Sequence, residues 1–165
     1  ENVEDLPPLA EFKALAEDNV YLYTGGVSKH FESKRSNGES YNEVHNNLGL
    51  GYETSLDSYS ENLYVGGFAQ YMKNSLDYDS ALIALNWKYQ WDIDEDLKFA
   101  LGGAGGIQNG YPKKGKRNED NFVPVAYPLA EISYKRFGVY GTCVPEIYSS
   151  GFCFAGLKFK LHEFE

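Results

Sequence analysis

From Ala81 to Trp91 the chain sets Ala81, Ile83, Leu85, Trp87, Tyr89 and Trp91 on one side of an extended backbone, with Asn86, Lys88 and Gln90 on the other. A period of two belongs to a strand with one apolar face; a helix of 3.6 residues per turn would scatter these residues around its surface. The pattern returns near the end of the sequence, where Cys153, Ala155, Leu157, Phe159 and Leu161 alternate with residues that include Lys158 and Lys160. Eight segments read as strands, at about 20–31, 46–55, 62–72, 79–91, 96–108, 122–134, 137–146 and 151–161. The 14 Tyr and 10 Phe suit a pleated surface, and the 17 Gly suit turns and crowded barrel positions.

No run approaches the roughly 18 apolar residues of a spanning helix. A membrane strand needs only about ten, alternating between lipid and lumen, so the aromatic-ended stripe of 81–91 fits a lipid-facing strand as well as the core face of a soluble barrel or sandwich. The connections sharpen the choice. Those after the first and fifth segments are long and charged, whereas those after the second, fourth and sixth are short. Up-and-down connectivity places long loops on one rim and tight turns on the other, and an even number of strands lets the sheet close. The expectation is an all-β fold, an eight-stranded antiparallel up-and-down β-barrel over residues 20–165. It follows an N-terminal segment, residues 1–19, with a short helix from Pro8 to Asp18. The first residue, Glu1, fits a signal peptide already removed or a trimmed chain.

A formal charge of −9 argues against a nucleic-acid partner. The one basic run, Lys113, Lys114, Lys116 and Arg117, reads as a solvated loop that could touch lipopolysaccharide phosphates at an outer surface. His30, His45 and His162 show no metal-ligand spacing, and Asp92, Asp94, Glu95 and Asp96 lack the glycine and terminal glutamate of a calcium loop, so neither metal nor cofactor is expected. There is no GxSxG elbow and no P-loop. Cys143 and Cys153 flank a turn at 147–150, and the spacing fits both a cross-strand disulfide, implying an oxidising compartment, and two buried thiols.

Chemistry is best sought at the long-loop rim, where rigid strands present residues from several loops. Two segments lead there, Ser28-Lys29-His30-Phe31 and Lys73-Asn74-Ser75-Leu76. Histidine with serine is the minimum set for acyl transfer, since imidazole can take a hydroxyl proton and return it to the leaving group. For an isolated His and Ser the commoner role is simply to hydrogen-bond loop backbone.

The stretches Val125-Ala-Tyr-Pro-Leu-Ala-Glu-Ile-Ser-Tyr134 and Cys143-Val-Pro-Glu-Ile-Tyr-Ser-Ser-Gly151 resemble the lipid A palmitoyltransferase family of outer-membrane barrels. Looser likeness runs through Tyr41-Asn-Glu43, Leu48-Gly-Leu-Gly51 and Gly67-Phe-Ala-Gln-Tyr-Met-Lys-Asn-Ser75, so the resemblance spans most of the chain after Tyr21. It implies that Pro128 and Pro145 mark lateral lipid gates, because proline cannot donate to a strand ladder. It also implies His30 as catalytic base and Ser75 as the hydroxyl participant. The family's aspartate falls on Asn74. An amide can orient a neutral imidazole but cannot stabilise its cation, and in the serine-protease triad the same change lowers turnover about 10⁴-fold. Asp77 or Asp79 stands close enough in sequence to substitute.

Two main readings follow. In the first, a monomeric barrel in the bacterial outer membrane moves a palmitoyl-type chain from a phospholipid to lipid A through His30, Asn74 and Ser75, with an interior slot that measures the chain. In the second, a barrel of the same fold, including one carried by a phage or mobile element, binds lipid or another apolar ligand without turnover, or serves as an interaction module at the cell surface. Asn74, the short helix and the polar end from His162 to Glu165 favour the second. A third reading, a soluble lipocalin-like carrier in the periplasm, requires a polar exterior.

Overall fold

The computed structural model describes residues 18–31, 38–57, 59–110, 122–144 and 151–164. The alternating segments form eight strands: β1 (Asp18–His30), β2 (Val44–Ser55), β3 (Leu63–Lys73), β4 (Asp79–Asp92), β5 (Leu97–Gln108), β6 (Val123–Tyr134), β7 (Phe137–Val144) and β8 (Phe152–Phe164). Every consecutive pair is antiparallel, and β1 pairs with β8, so the sheet closes into an eight-stranded barrel. The eight expected segments are all present, with ends shifted by up to about three residues. The helix expected from Pro8 lies outside the described residues, apart from Asp18, which opens β1. The basic run at 113–117 and Pro145 also lie outside them.

Closure turns the period of two into an inside and an outside. The stripe of β4 faces out, with Ile83, Leu85 and Trp87 more than half exposed, while Asn86, Lys88 and Gln90 face the lumen. Other strands also present apolar side chains outward, with Leu48 and Leu50 on β2, Tyr71 on β3, Leu101 on β5 and Ile132 on β6 all exposed. A soluble barrel has the reverse arrangement, so the polar exterior that a lipocalin-like carrier requires is missing.

The lumen is filled in two layers. Near the short-turn rim the even-numbered strands each contribute one charged side chain: Glu53 from β2, Lys88 from β4, Glu131 from β6 and Lys158 from β8. Lys88 Nζ lies 2.8 Å from Glu53 and 3.1 Å from Glu131, and Lys158 Nζ lies 2.5 Å and 3.0 Å from the same two carboxylates. Each charge therefore meets two of opposite sign, the condition under which ions survive burial. Lys158 also sits 3.8 Å from the centre of the Tyr21 ring. The odd-numbered strands make room for these long side chains: a Cβ at Gly66 or Gly102 would collide with the backbone beside Glu53 or Lys88. Towards the long-loop rim, Tyr23, Phe68, Met72, Leu82, Leu129 and Tyr140 form an apolar layer.

Two irregularities matter for function. In β1, Gly25 and Gly26 have φ of 65° and 146°, and the register against β8 slips between Thr24 and Val27. This bulge inverts the phase of the strand: Tyr23 faces the lumen before it, and Ser28 and His30 face the lumen after it. A regular strand would have pointed Ser28 and His30 outward. Between β6 and β7, the ladder ends at Ala130 opposite Gly141. Continuing that register would set Leu129, Pro128 and Tyr127 against Thr142, Cys143 and Val144, yet these described residues do not pair. They remain bonded on their far sides, to β5 and β8.

Candidate active site

The long-loop rim receives Ser28 and His30 from β1, His45 from β2, and Asn74 and Ser75 just beyond β3. Of the residues implied by the resemblance, Asn74 is the most tightly held. Its side-chain oxygen accepts from the backbone N–H groups of Leu76 and Tyr78, at 3.0 and 3.1 Å, and its amide donates to the Gly110 carbonyl at 2.6 Å. These bonds tie the β3–β4 turn to the end of β5, the work of an Asx turn. Ser75 lines the adjoining cavity, and its carbonyl accepts from the Asn42 N–H at 2.9 Å. His30 is buried, stacks on Tyr41 with ring centres 3.8 Å apart, and leaves Nδ1 without a hydrogen-bond partner. Among the described residues, no hydrogen bond joins His30 to Asn74 or Ser75. Asp79, a candidate stand-in for the family's aspartate, pairs with Lys73 at 2.7 Å on the exposed face.

A second histidine makes the contact that sequence spacing does not reveal. His45 Nε2 lies 2.7 Å from Ser28 Oγ, and His45 Nδ1 lies 2.6 Å from the Lys73 carbonyl oxygen. A carbonyl can only accept, so Nδ1 carries the proton and Nε2 presents its lone pair to the Ser28 hydroxyl. Both residues are at least nine-tenths buried. Seventeen residues separate them in the chain, and only the β1 bulge brings Ser28 to the inner face where His45 already points. Doublets of glycine inside an alternating strand are the one sequence signal that could have found this pair.

Ser28 and His45 line a cavity of about 140 Å³ together with Met72, Leu82, Tyr127 and Phe154. Engineered apolar cavities of about 150 Å³ take up benzene, so this space suits about six carbons. Below it the apolar layer and the charged ring occupy the lumen, and the deep slot expected of a chain-measuring interior is filled by Tyr23, Phe68 and Tyr140. Tyr127 and Thr142 also line the cavity, one from each side of the unpaired stretch between β6 and β7. Thr142 Oγ1 is buried there without a hydrogen-bond partner.

Pro128 lies on β6 at that stretch with its ring exposed on the barrel exterior, and Pro124 precedes it on the same face. On the other side, Cys143 and Cys153 are bridged as a disulfide between β7 and β8, with Cα atoms 4.0 Å apart. Among the described residues, no group of three His, Cys, Asp or Glu side chains converges as metal ligands.

No family model and no curated protein matches this sequence. Two solved structures of Ail, an outer membrane protein of Yersinia pestis, are similar to the chain at a TM-score of 0.45. The one in a phospholipid bilayer nanodisc is 10% identical, with 88% of this chain and 99% of that one covered. The one in complex with the heparin analogue sucrose octasulfate is 11% identical, with 90% and 99% covered.

Proposed function

We propose that this chain is a bacterial outer-membrane barrel that admits the acyl chain of a membrane lipid sideways, between β6 and β7, and transfers it from a phospholipid to a hydroxyl of lipid A. The observation that carries the reading is the unpaired stretch at Pro128, whose flanking residues Tyr127 and Thr142 line an interior cavity that also contains Ser28 and His45. The exterior supplies the membrane half of the argument: side chains such as Leu50, Leu85 and Leu157 are stable in contact with lipid and would aggregate in water. The disulfide supports an oxidising compartment, as the outer membrane requires. The resemblance to lipid A palmitoyltransferases, in which prolines mark lipid gates, points the same way.

A second reading, lipid binding without turnover, is favoured by Asn74, whose amide is consumed by turn backbone and offers nothing to a histidine. Mass spectrometry of lipid A from a host lacking its own palmitoyltransferase separates the two. Gain of one acyl chain on expression of the protein supports transfer. A folded barrel in the outer membrane with unchanged lipid A leaves the binding reading. Lateral entry itself is tested in nanodiscs, where a phospholipid with a nitroxide at its chain end should broaden the amide resonances of Tyr127 and Thr142. No broadening there would remove both readings.

A further inference from the structure

We infer that Ser28 is the nucleophile of this barrel and His45 its general base, so that acyl transfer passes through an ester on Ser28; the inference rests on lateral lipid entry as proposed above. Three independent features converge on the pair. Its geometry is that of a primed hydroxyl, with the lone pair of Nε2 aimed at Oγ and the opposite ring nitrogen fixed by the Lys73 carbonyl. Its location is the wall of a cavity sized for the ester end of an acyl chain. Its approach is lined by an unsatisfied donor. Thr142 pairs with Phe154 and Phe154 pairs with Ser28, so Thr142 and Ser28 stand on one row of the sheet, about 10 Å apart across two strand spacings. An ester entering past Tyr127 meets the Thr142 hydroxyl before it reaches Ser28.

In the first step Ser28 Oγ forms a bond to the carbonyl carbon of the phospholipid ester while its proton moves to His45 Nε2. The tetrahedral adduct expels the glycerol oxygen, which takes that proton and leaves as lysophospholipid. In the second step an acceptor hydroxyl, from lipid A or from water, attacks the Ser28 ester and gives its proton to His45 Nε2. Collapse returns the proton to Ser28 Oγ and releases the acylated acceptor. The Lys73 carbonyl fixes the tautomer and orientation of the ring and supplies none of the negative charge that a carboxylate brings in faster enzymes, so slow turnover is expected. The pair therefore accounts for turnover without requiring a carboxylate at Asn74.

The test is covalent capture in nanodiscs with a long-chain alkyl fluorophosphonate, whose phosphorus accepts Ser28 Oγ as fluoride leaves with the hydroxyl proton. Peptide mass spectrometry should find the adduct on Ser28. It should vanish in Ser28→Ala, fall at least about 100-fold in His45→Asn, and persist in Ser60→Ala, a hydroxyl on the opposite rim. Amide spectra matching the parent protein would establish that each variant remains folded. An adduct on Ser75, or none on Ser28 in a barrel whose Tyr127 and Thr142 still sense the nitroxide lipid, would overturn the assignment and leave lateral entry standing. Loss of the nitroxide effect in the parent protein would overturn both.

Discussion

Replacing Lys158 with Met removes one of the four charges that meet in the lumen and leaves Lys88 facing both Glu53 and Glu131. The replaced side chain is of similar length, so little cavity forms. The loss is the pair of contacts from Lys158 to the carboxylates, the stacking over Tyr21, and an excess negative charge with no access to bulk water. Breaking a buried ion cluster by removing one partner costs about 3–5 kcal/mol, mostly from the stranded charge. The double variant Lys158→Met, Glu131→Gln restores neutrality and keeps the Lys88–Glu53 pair at 2.8 Å. It should therefore be more stable than the sum of its single changes by about 1–3 kcal/mol, the coupling expected of residues in one network. Equilibrium urea unfolding from lipid vesicles measures each value. A single-variant loss under about 1 kcal/mol, or strict additivity in the double, would mean that lumenal water solvates these charges and that the ring does not hold the barrel together.

Other predictions address the site and the surface. Gly26→Val places a Cβ against the Phe154 ring at a φ of 146°, so it should cost about 1–3 kcal/mol in the same unfolding assay and abolish the Ser28 adduct by swinging Ser28 off its inward phase. Leu85→Arg, in mid-strand on the outer face, should destabilise the barrel in bilayers by about 2–4 kcal/mol; a change within about 0.5 kcal/mol would argue that this face does not contact lipid. In the β4–β5 turn, the backbone N–H groups of Leu97 and Asp96 hold the Asp94 carboxyl below the usual carboxylate range. A depressed folded value means stability that is present above the ordinary aspartate range and is lost as pH falls through the folded value. An NMR titration should place its midpoint below about 3.9, and Asp94→Asn should remove that part of the acid dependence.

Strand number, closure and the inside and outside of β4 were legible because a period of two survives in the sequence wherever one face meets lipid and the other a polar lumen. The partner choices inside the lumen were not. Lys88 and Lys158 read as polar positions of two separate strands, and only closure of the sheet brings them within reach of Glu53 and Glu131. The site failed to show for a more specific reason. Alternation carried through β1 without interruption would send Ser28 outward, and the Gly25-Gly26 bulge that inverts it has no signature beyond two adjacent glycines. His45 was visible as a histidine, but its spacing from Ser28 has no meaning until β1 and β2 pair. Resemblance drew attention instead to Asn74, where the structure shows an amide organising a turn.

A barrel has no edges to offer, and that is its protection against adding strands from other chains. The unpaired stretch between β6 and β7 gives part of that protection away, since it exposes two short lengths of strand to the surroundings. The sequence limits the hazard on both sides. Proline at 128 removes an amide from the β6 edge, so a passing chain finds an incomplete template. The β7 edge is stapled by Cys143 to Cys153 and cannot peel away to meet a neighbour. The same pieces that border the proposed lipid entrance thus refuse a polypeptide, and a reducing environment or a residue other than proline at 128 should show first as association between copies of the chain.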